Sequence, residues 1–177
     1  MKLKPLDVYR KLFSVPLFIL GDGDFSFTKK LVMYGNRSII TSNLSLPETC
    51  KGAIKYLNKK QIPVVAQDAT NMSVYPDRTV VWCFPYPINE TCTPNELLKK
   101  FFSSSQANNV NNIILGLKSL PDDQGHQYNF WDLKSVHPGY TITERLQSPI
   151  FWTVTHVKGT RLPQKSGLVE FITFQLT

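Results

Sequence analysis

The residues best suited to binding a ligand lie in a short segment of glycine, aspartate, phenylalanine and serine that follows an apolar run. Glycine lets a bound molecule approach the main chain closely, and the free amide groups at the start of a following helix can bind its polar groups. An ordinary tight turn between a strand and a helix has a similar composition, so the segment alone is weak support for a ligand site. Its residues are Gly21, Asp22, Gly23, Asp24, Phe25 and Ser26.

Two further polar segments stand where the next two apolar runs end. Thr41, Ser42 and Asn43 follow the second run, and Asp68 and Ala69 follow the third. Asp68 could accept a hydrogen bond from the amino group of a base while the Ala69 amide donates one, or it could simply cap a turn. Ligands of open parallel sheets bind outside the carboxyl ends of the strands, so all three segments are expected to meet there.

A fourth segment, Cys83-Phe84-Pro85-Tyr86-Pro87, follows the fourth apolar run. Proline cannot continue a central strand, so the two prolines predict a stiff loop with an aromatic edge. Such an edge can hold a planar base by stacking, which is worth about 1–3 kcal/mol per base. A purely structural loop is the alternative. Cys83 ends a hydrophobic strand with no identifiable base beside it, which favours an inert buried thiol over a nucleophile.

The elements that must position these segments alternate between strands and helices, which predicts an α/β domain around a mainly parallel sheet. The chain closes with an apolar terminal strand that we expect to run antiparallel to its neighbours. The predicted strands are 15–20, 38–41, 63–66, 79–84, 112–117, 140–145 and 167–176. The predicted helices are 25–34, 47–60, a helix from 94 or 95 to 104, and 130–136.

The length and composition of the chain are typical of one folded domain. It has 177 residues, of which 42% are apolar and 19% charged, so we interpret residues 1–177 as a single domain. Its longest apolar runs span about six residues, against roughly 20 for a membrane-spanning helix, and we expect no signal peptide after the basic start. We therefore expect no membrane partner and a place inside a cell, where the three cysteines stay reduced.

The formal charge of +7 favours a polyanionic partner such as RNA, although it also suits a simple soluble domain. Lys51, Lys55 and Lys59 share one face of the predicted helix 47–60 and could follow phosphates. A solvated outer face is the simpler interpretation of these three lysines.

A basic loop is the stronger candidate for contact with RNA. It carries Lys158, Arg161 and Lys165, with two glycines close by. Contacts from such side chains to phosphates would position an RNA without reading its sequence. A flexible basic hairpin loop explains the same composition, so both interpretations stay open.

Two other kinds of site are disfavoured. The dinucleotide pattern G-x-G-x-x-G is incomplete, because Ser26 occupies the third glycine position and no acidic residue ends the second strand, so NAD is an unlikely cofactor. The three histidines lie in separate contexts without metal-binding spacing, so no metal site is predicted and surface or structural roles are expected. They are His126, His137 and His156.

The order and spacing of four segments resemble the Rossmann-like family of eukaryotic ribosomal RNA uridine-N3 methyltransferases. These segments are Phe18–Phe27, Ile39–Ser42, Gln67–Thr70 and Phe84-Pro85, and the resemblance extends over most of the chain. It implies a Rossmann-like class I methyltransferase fold, RNA and in particular ribosomal RNA as the partner, and a place in the nucleus or nucleolus, with the cytoplasm as the alternative.

The resemblance also implies S-adenosylmethionine as the cofactor. The family pattern assigns it to Gly21–Ser26 and Thr41–Asn43, with the adenine end near Asp68 and Ala69. The acceptor base would lie by Pro85, Tyr86 and Asp24, which we expect to be the catalytic residues. Asp22, Asp24 and Tyr86 all remain candidates for taking the proton of the uridine nitrogen.

One departure from the family pattern opens a second interpretation. The family places an asparagine before the Phe-Pro pair and a histidine after it, whereas this chain has Cys83 and Tyr86. The alternative is a catalytically inactive methyltransferase-fold module that serves as a protein-interaction or RNA-binding subunit. A protein partner could also complete the site.

Overall fold

The computed structural model of the protein describes residues 3–73, 75, 77–85, 92–118, 139–153 and 167–177. Within these ranges the strands are β1 (Leu17–Leu20), β2 (Ile39–Asn43), β3 (Val64–Ala66), β4 (Thr79–Cys83), β5 (Asn112–Lys118), β6 (Tyr140–Pro149) and β7 (Leu168–Leu176). The α-helices are α1 (Pro5–Val8), α2 (Ser26–Tyr34), α3 (Lys51–Lys59) and α4 (Pro94–Ala107). A π-helical turn, Tyr9–Phe13, continues α1, and a 3-10 turn, Glu48–Cys50, precedes α3.

The strands form one sheet in the order β3-β2-β1-β4-β5-β7-β6. The first five are parallel, whereas β7 is antiparallel to both β5 and β6. This confirms the prediction of an α/β fold with a mainly parallel sheet and an antiparallel C-terminal strand. The strand order reverses beside β1, which lies between β2 and β4, so the carboxyl ends of β1 and β4 form the switch point where open sheets bind ligands.

Helices cover both faces of the sheet, which explains why β1 is a continuous apolar run. Leu17 and Ile19 pack on the face covered by α1, α2 and α3, while Phe18 and Leu20 pack on the face covered by α4. All four residues are at most 1% exposed. A strand buried on both faces shows no alternation of apolar and polar residues, as the sequence of β1 predicts.

The helix boundaries follow from local chemistry. Gly35, with φ 117°, ends α2 and donates its N–H to the carbonyl groups of Leu31 and Val32. That left-handed conformation is cheap only for glycine. At the start of α4, the Thr93 hydroxyl accepts the N–H of Glu96 at 3.2 Å, and the Glu96 carboxylate accepts the N–H of Thr93 at 3.3 Å. This capping box fixes the start of α4 one residue after Thr93, as predicted.

The structure differs from the sequence-based prediction at several element ends. The helical segment 5–13 was missed, although Val8, Leu12 and Phe13 are buried in the core. Strand β6 continues to Pro149 because β7 pairs with it over its whole length. Strand β2 continues through Asn43, so Ser42 and Asn43 belong to the strand instead of following it. The predicted helix 130–136 lies outside the described residues.

Candidate functional site

The turn that follows β1 is tied directly to the carboxyl end of β2. The Asp22 N–H donates to the Ser42 carbonyl at 3.1 Å, and the Asn43 side-chain amide donates to the Gly23 carbonyl at 2.7 Å. The Cys50 thiol lies 3.5 Å from the same Gly23 carbonyl oxygen. These contacts bring the first two predicted segments together at one edge of the sheet.

The third predicted segment joins the same edge. The Gln67 N–H donates to the Asn43 carbonyl at 2.8 Å, which places the following Asp68 beside the end of β2. One oxygen of the exposed Asp68 carboxylate accepts the N–H of Thr70 at 2.8 Å and its hydroxyl at 2.7 Å. These bonds hold the loop in shape, and the second carboxylate oxygen can accept a further hydrogen bond.

The side chains of the three segments divide into those that face solvent and those that face the core. The exposed or half-buried ones are Gly21, Gly23, Asp24, Ser26, Asn43, Asp68 and Ala69. The buried ones are Asp22, Phe25, Thr41 and Ser42. The Ser42 hydroxyl donates to the Ile19 carbonyl at 2.7 Å, so the side chain of Ser42 holds β2 to β1.

Asp22 is the one buried carboxyl group of the described site. Its Oδ2 accepts the N–H of Thr28 at 2.8 Å and the Thr28 hydroxyl, and that hydroxyl lies 2.7 Å from the hydroxyl of Thr41. The network links the turn, α2 and β2. Burial raises the pKa of Asp22 from 3.8 to about 7, against the opposing effect of the Thr28 hydrogen bonds.

The raised pKa of Asp22 gives a prediction for stability. Between pH 4 and 7 the folded chain keeps a proton that the unfolded chain has released, so the free energy of unfolding falls as pH rises. The fall is up to about 1.4 kcal/mol per pH unit. Asp22→Asn cannot titrate, so urea unfolding of this variant should lack that fall. Equal pH dependence of the two chains would contradict the assignment.

Left-handed backbone conformations occur at this edge, as they also do at Gln61, Asp77 and Asn109 elsewhere in the described ranges. Gly21 and Gly23 have φ 58° and 27°, and two aromatic residues, Phe25 and Phe84, have φ 65° and 53°. Such conformations of non-glycine residues cost of order 1–3 kcal/mol and persist only where the surroundings hold them, often at functional sites. A Cβ atom on Gly21 would lie 2.8 Å from the indole nitrogen of Trp82, so the Trp82 ring is a neighbour of the turn that the sequence pattern did not predict.

The fourth predicted segment begins beside the same turn and continues beyond the described residues. The Phe84 N–H donates to the Gly116 carbonyl at 2.7 Å, which holds the end of β4 to β5. Pro85 is buried, so of the predicted catalytic residues Asp24 is the one with a solvent-accessible polar group in the described ranges. Tyr86 and Pro87 lie outside those ranges.

The residues that follow β6 form a wall of the site that no sequence pattern predicted. The Ser26 hydroxyl donates to the Thr153 carbonyl at 2.8 Å and lies 3.0 Å from the Thr153 amide nitrogen, which donates back to it. The Trp152 ring packs against Phe27 and Phe84, with centroids 4.7 and 5.8 Å apart. No sequence pattern pairs positions more than 120 residues apart, so only the fold reveals this contact.

The three cysteines are free thiols. The Cys83 thiol packs against Gly116 of the neighbouring strand β5. A Cβ atom added to Gly116 would lie only 3.0 Å from the Cys83 sulfur. Burial, and then the nearby Asp22 carboxyl, raise the pKa of Cys83. A high pKa keeps the group as the unreactive thiol, which agrees with a packing role.

The remaining predictions concern metal binding, membrane helices and residues that lie outside the described ranges. Among the described residues no histidine, cysteine and carboxylate side chains cluster in a way that could hold a metal ion. In the same ranges no helix has the length and hydropathy to cross a bilayer. The histidines and the basic loop residues Lys158, Arg161 and Lys165 lie outside the described ranges.

A polar cavity of about 270 Å³ lies at the opposite edge of the sheet, beside the amino ends of β4 and β5. It is lined by Tyr75, Asp77, Arg78, Thr79 and residues 108–112. The Arg78 guanidinium donates to the carbonyl groups of Leu17 and Ser38 at 3.1 and 3.0 Å. Arg78 therefore closes the amino end of the sheet.

Comparison with known proteins identifies the fold. No family profile and no curated protein sequence matches the chain. Its structure is similar to that of PH1948 from Pyrococcus horikoshii, described as a candidate RNA methyltransferase, with a TM-score of 0.60 and 15% identity over 96% of this chain and 79% of that one.

Two further structures have the same architecture. Magnesium protoporphyrin IX methyltransferase from Synechocystis, solved with bound S-adenosylmethionine, gives a TM-score of 0.54 and 15% identity over 97% of this chain and 74% of that one. TrmN from Thermus thermophilus gives 0.56 and 11% over 97% and 47%. The predicted Rossmann-like methyltransferase fold is therefore confirmed, and these similarities extend to the fold alone.

Proposed function

We propose that this chain binds S-adenosylmethionine at the carboxyl edge of β1, β2 and β3 and transfers its methyl group to a base of RNA, the N3 atom of uridine. One observation carries the proposal: hydrogen bonds join the glycine turn, Asn43 and the Asp68 loop at the switch point of a methyltransferase fold. The candidate RNA methyltransferase among the structural neighbours supports RNA as the substrate class.

The exposed groups of the edge match the parts of the cofactor. Gly21 and Gly23 are both exposed in the turn after β1, where the main chain of the turn can contact the cofactor. Asn43 donates one N–H of its side-chain amide to the Gly23 carbonyl, which leaves its Oδ1 able to accept a ribose hydroxyl, the role of an acidic residue in dinucleotide-binding folds. The free oxygen of Asp68 and the amide of Ala69 can bind the adenine edge. Leu44, 51% exposed directly after Asn43, offers the ring an apolar wall.

The chemistry of transfer assigns different roles to the two aspartates of the turn. The bound sulfonium supplies an activated methyl group, so the residues mainly align the acceptor and receive its proton. Asp24 is half-buried, and its Oδ1 accepts the Ser26 N–H at 3.0 Å, which orients the second oxygen at the rim. When the cofactor is bound, Asp24 would accept the N3 proton of the uridine as the methyl group passes from sulfur to that nitrogen and the neutral thioether leaves. The buried Asp22 is a positioning residue.

Calorimetric titration tests the cofactor, and transfer of a labelled methyl group to uridine-containing RNA tests the reaction. We expect saturable binding of S-adenosylmethionine, no binding of NAD, and label recovered in N3-methyluridine after RNA digestion. Label on another base would replace uridine as the target, and failure to bind the methyl donor would overturn the proposal.

A second function, a catalytically inactive RNA-binding or protein-interaction module, is favoured by one observation. Cys83 stands where the similar family has asparagine, and it is a packed thiol that cannot replace the amide chemically. This function predicts RNA binding without methyl transfer. It is distinguished by the same labelling experiment at saturating methyl donor.

A further inference from the structure

The outer surface of α2 and α3 carries a concentration of lysines without acidic residues of its own. Neither helix contains an aspartate or glutamate. In α3, Lys51, Lys55 and Lys59 are exposed and follow one another at intervals of about 6 Å along the helix axis. In α2, Lys29 and Lys30 are half-buried. We call these five residues, with Lys60, the lysine face.

A tyrosine joins the two helices of this face. The ammonium group of Lys29 lies 5.1 Å from the centroid of the Tyr56 ring, and that of Lys60 lies 5.8 Å from it. The half-buried ring therefore stands between a lysine of α2 and a lysine that follows α3. Cation–π attraction favours both positions, so Lys29 of α2 lies beside the surface of α3 that carries Tyr56 and leads to Lys60.

Ion pairs do not neutralise the lysine face within the described ranges, and the same holds there for Lys99 and Lys100 of α4. Elsewhere in the described ranges Lys11 pairs with Glu144 at 2.8 Å, and Arg145 pairs with Glu170 at 2.9 Å. No lysine of the lysine face has a carboxylate within ion-pair distance in those ranges. The positive potential is therefore uncompensated there, which attracts polyanions and releases counterions when one binds.

Both helices of the lysine face begin at the rim of the candidate site. Helix α2 starts directly after the glycine turn, and α3 starts directly after Cys50, whose thiol contacts the carbonyl of Gly23. A strand lying along the face would therefore lead towards the place where a substrate base must enter. Surfaces that combine such cations with an accessible aromatic ring are typical of single-stranded nucleic acid binding.

We infer that the lysine face of α2 and α3 docks the phosphate backbone of single-stranded RNA and guides it to the rim of the glycine turn. The inference rests on the proposed function, since it supplies the RNA surface of that site. From the sequence alone, the simpler interpretation of Lys51, Lys55 and Lys59 was a solvated helix face. The structure places Lys29 and Lys60 around Tyr56 on this side of the molecule.

Paired charge variants test the inference on the full chain. Lys55→Gln with Lys59→Gln removes two charges from the lysine face, and Lys99→Gln with Lys100→Gln removes two exposed charges from α4, on the opposite face of the sheet. Binding of a fluorescein-labelled mixed-sequence single-stranded RNA is measured over a range of salt concentrations. We expect the first variant to bind about 25-fold more weakly at about 0.1 M salt, with a salt slope smaller by about 1.4.

The matched control should keep the slope of the unchanged protein. Equal losses of RNA affinity in both variants would overturn the inference, because net charge alone would then explain the binding. Displacement of the RNA by poly-glutamate at equal charge would also overturn it, because the face would then bind an acidic protein as well as it binds RNA. Calorimetry with S-adenosylmethionine separates the two proposals. If the unchanged protein binds the cofactor but the Lys55/Lys59 variant keeps the salt slope of the unchanged protein, the RNA-docking inference is refuted and the proposed function stands. If the salt slope of that variant is reduced but the unchanged protein binds no cofactor, the docking inference stands and the proposed function is refuted.

Discussion

Replacing Gly23 by valine is expected to abolish binding of S-adenosylmethionine, with a loss of at least about 100-fold, or about 2.7 kcal/mol. Gly23 has φ 27°, a conformation that a β-branched residue adopts only under strain. Gly23 is also exposed in the turn that the cofactor would approach, so valine adds a bulky side chain at that turn. Isothermal titration calorimetry measures the affinity, and circular dichroism shows whether the chain is folded.

Gly52 provides the matched control for this substitution. It lies in α3 with nothing within 4 Å of the Cβ position, so Gly52→Val should leave the cofactor affinity unchanged. Valine is also a better helix former than glycine, so this control should not lose stability. A folded Gly23→Val chain that binds the cofactor as tightly as the control would remove the glycine turn from the site.

Exchanging Asp24 for asparagine should lower kcat for methyl transfer by about 100-fold or more, the usual contribution of a general base. Asparagine keeps an oxygen that can accept the Ser26 N–H, so the turn should keep its shape and its cofactor affinity. The rate of the variant should rise with pH, because the base nitrogen then loses its proton to solvent before it attacks. Single-turnover labelling over a range of pH measures both effects.

Asp7, an exposed residue of α1, supplies the control Asp7→Asn, which removes the same charge far from the switch point. It should transfer methyl groups at the rate of the unchanged protein. If the Asp24→Asn chain has a normal kcat and a normal pH profile, Asp24 is not the general base. Tyr86 would then be the remaining candidate from the sequence.

Much of the fold could be predicted because its signals are local. The apolar run of β1 needs burial on both faces, which parallel sheets with two helical layers supply. Gly35 and Thr93 fix helix ends by bonds within four residues of themselves. The missed segment 5–13 carries a comparable signal, since Val8 and Leu12 lie one helical turn apart and are both buried.

The arrangement of the candidate site could be predicted only in part. The positions of Gly23, Asn43 and Asp68 follow from the rule that strand ends meet at one edge of a parallel sheet. The inward orientation of Asp22 could not be predicted, because it depends on burial under the fold and on a Thr28 hydroxyl that also contacts the Thr41 hydroxyl of β2. The contact between Ser26 and Thr153 likewise depends on how β6 reaches the turn.

A crystal structure of the chain with S-adenosylhomocysteine tests the central claim most directly. The account predicts the ligand at the carboxyl edge, with its ribose against Asn43, its adenine beside Asp68 and its sulfur over the turn at Gly23. Density for the ligand in the polar cavity beside Arg78 at the other edge of the sheet, or an unoccupied carboxyl edge at saturating ligand, would contradict it.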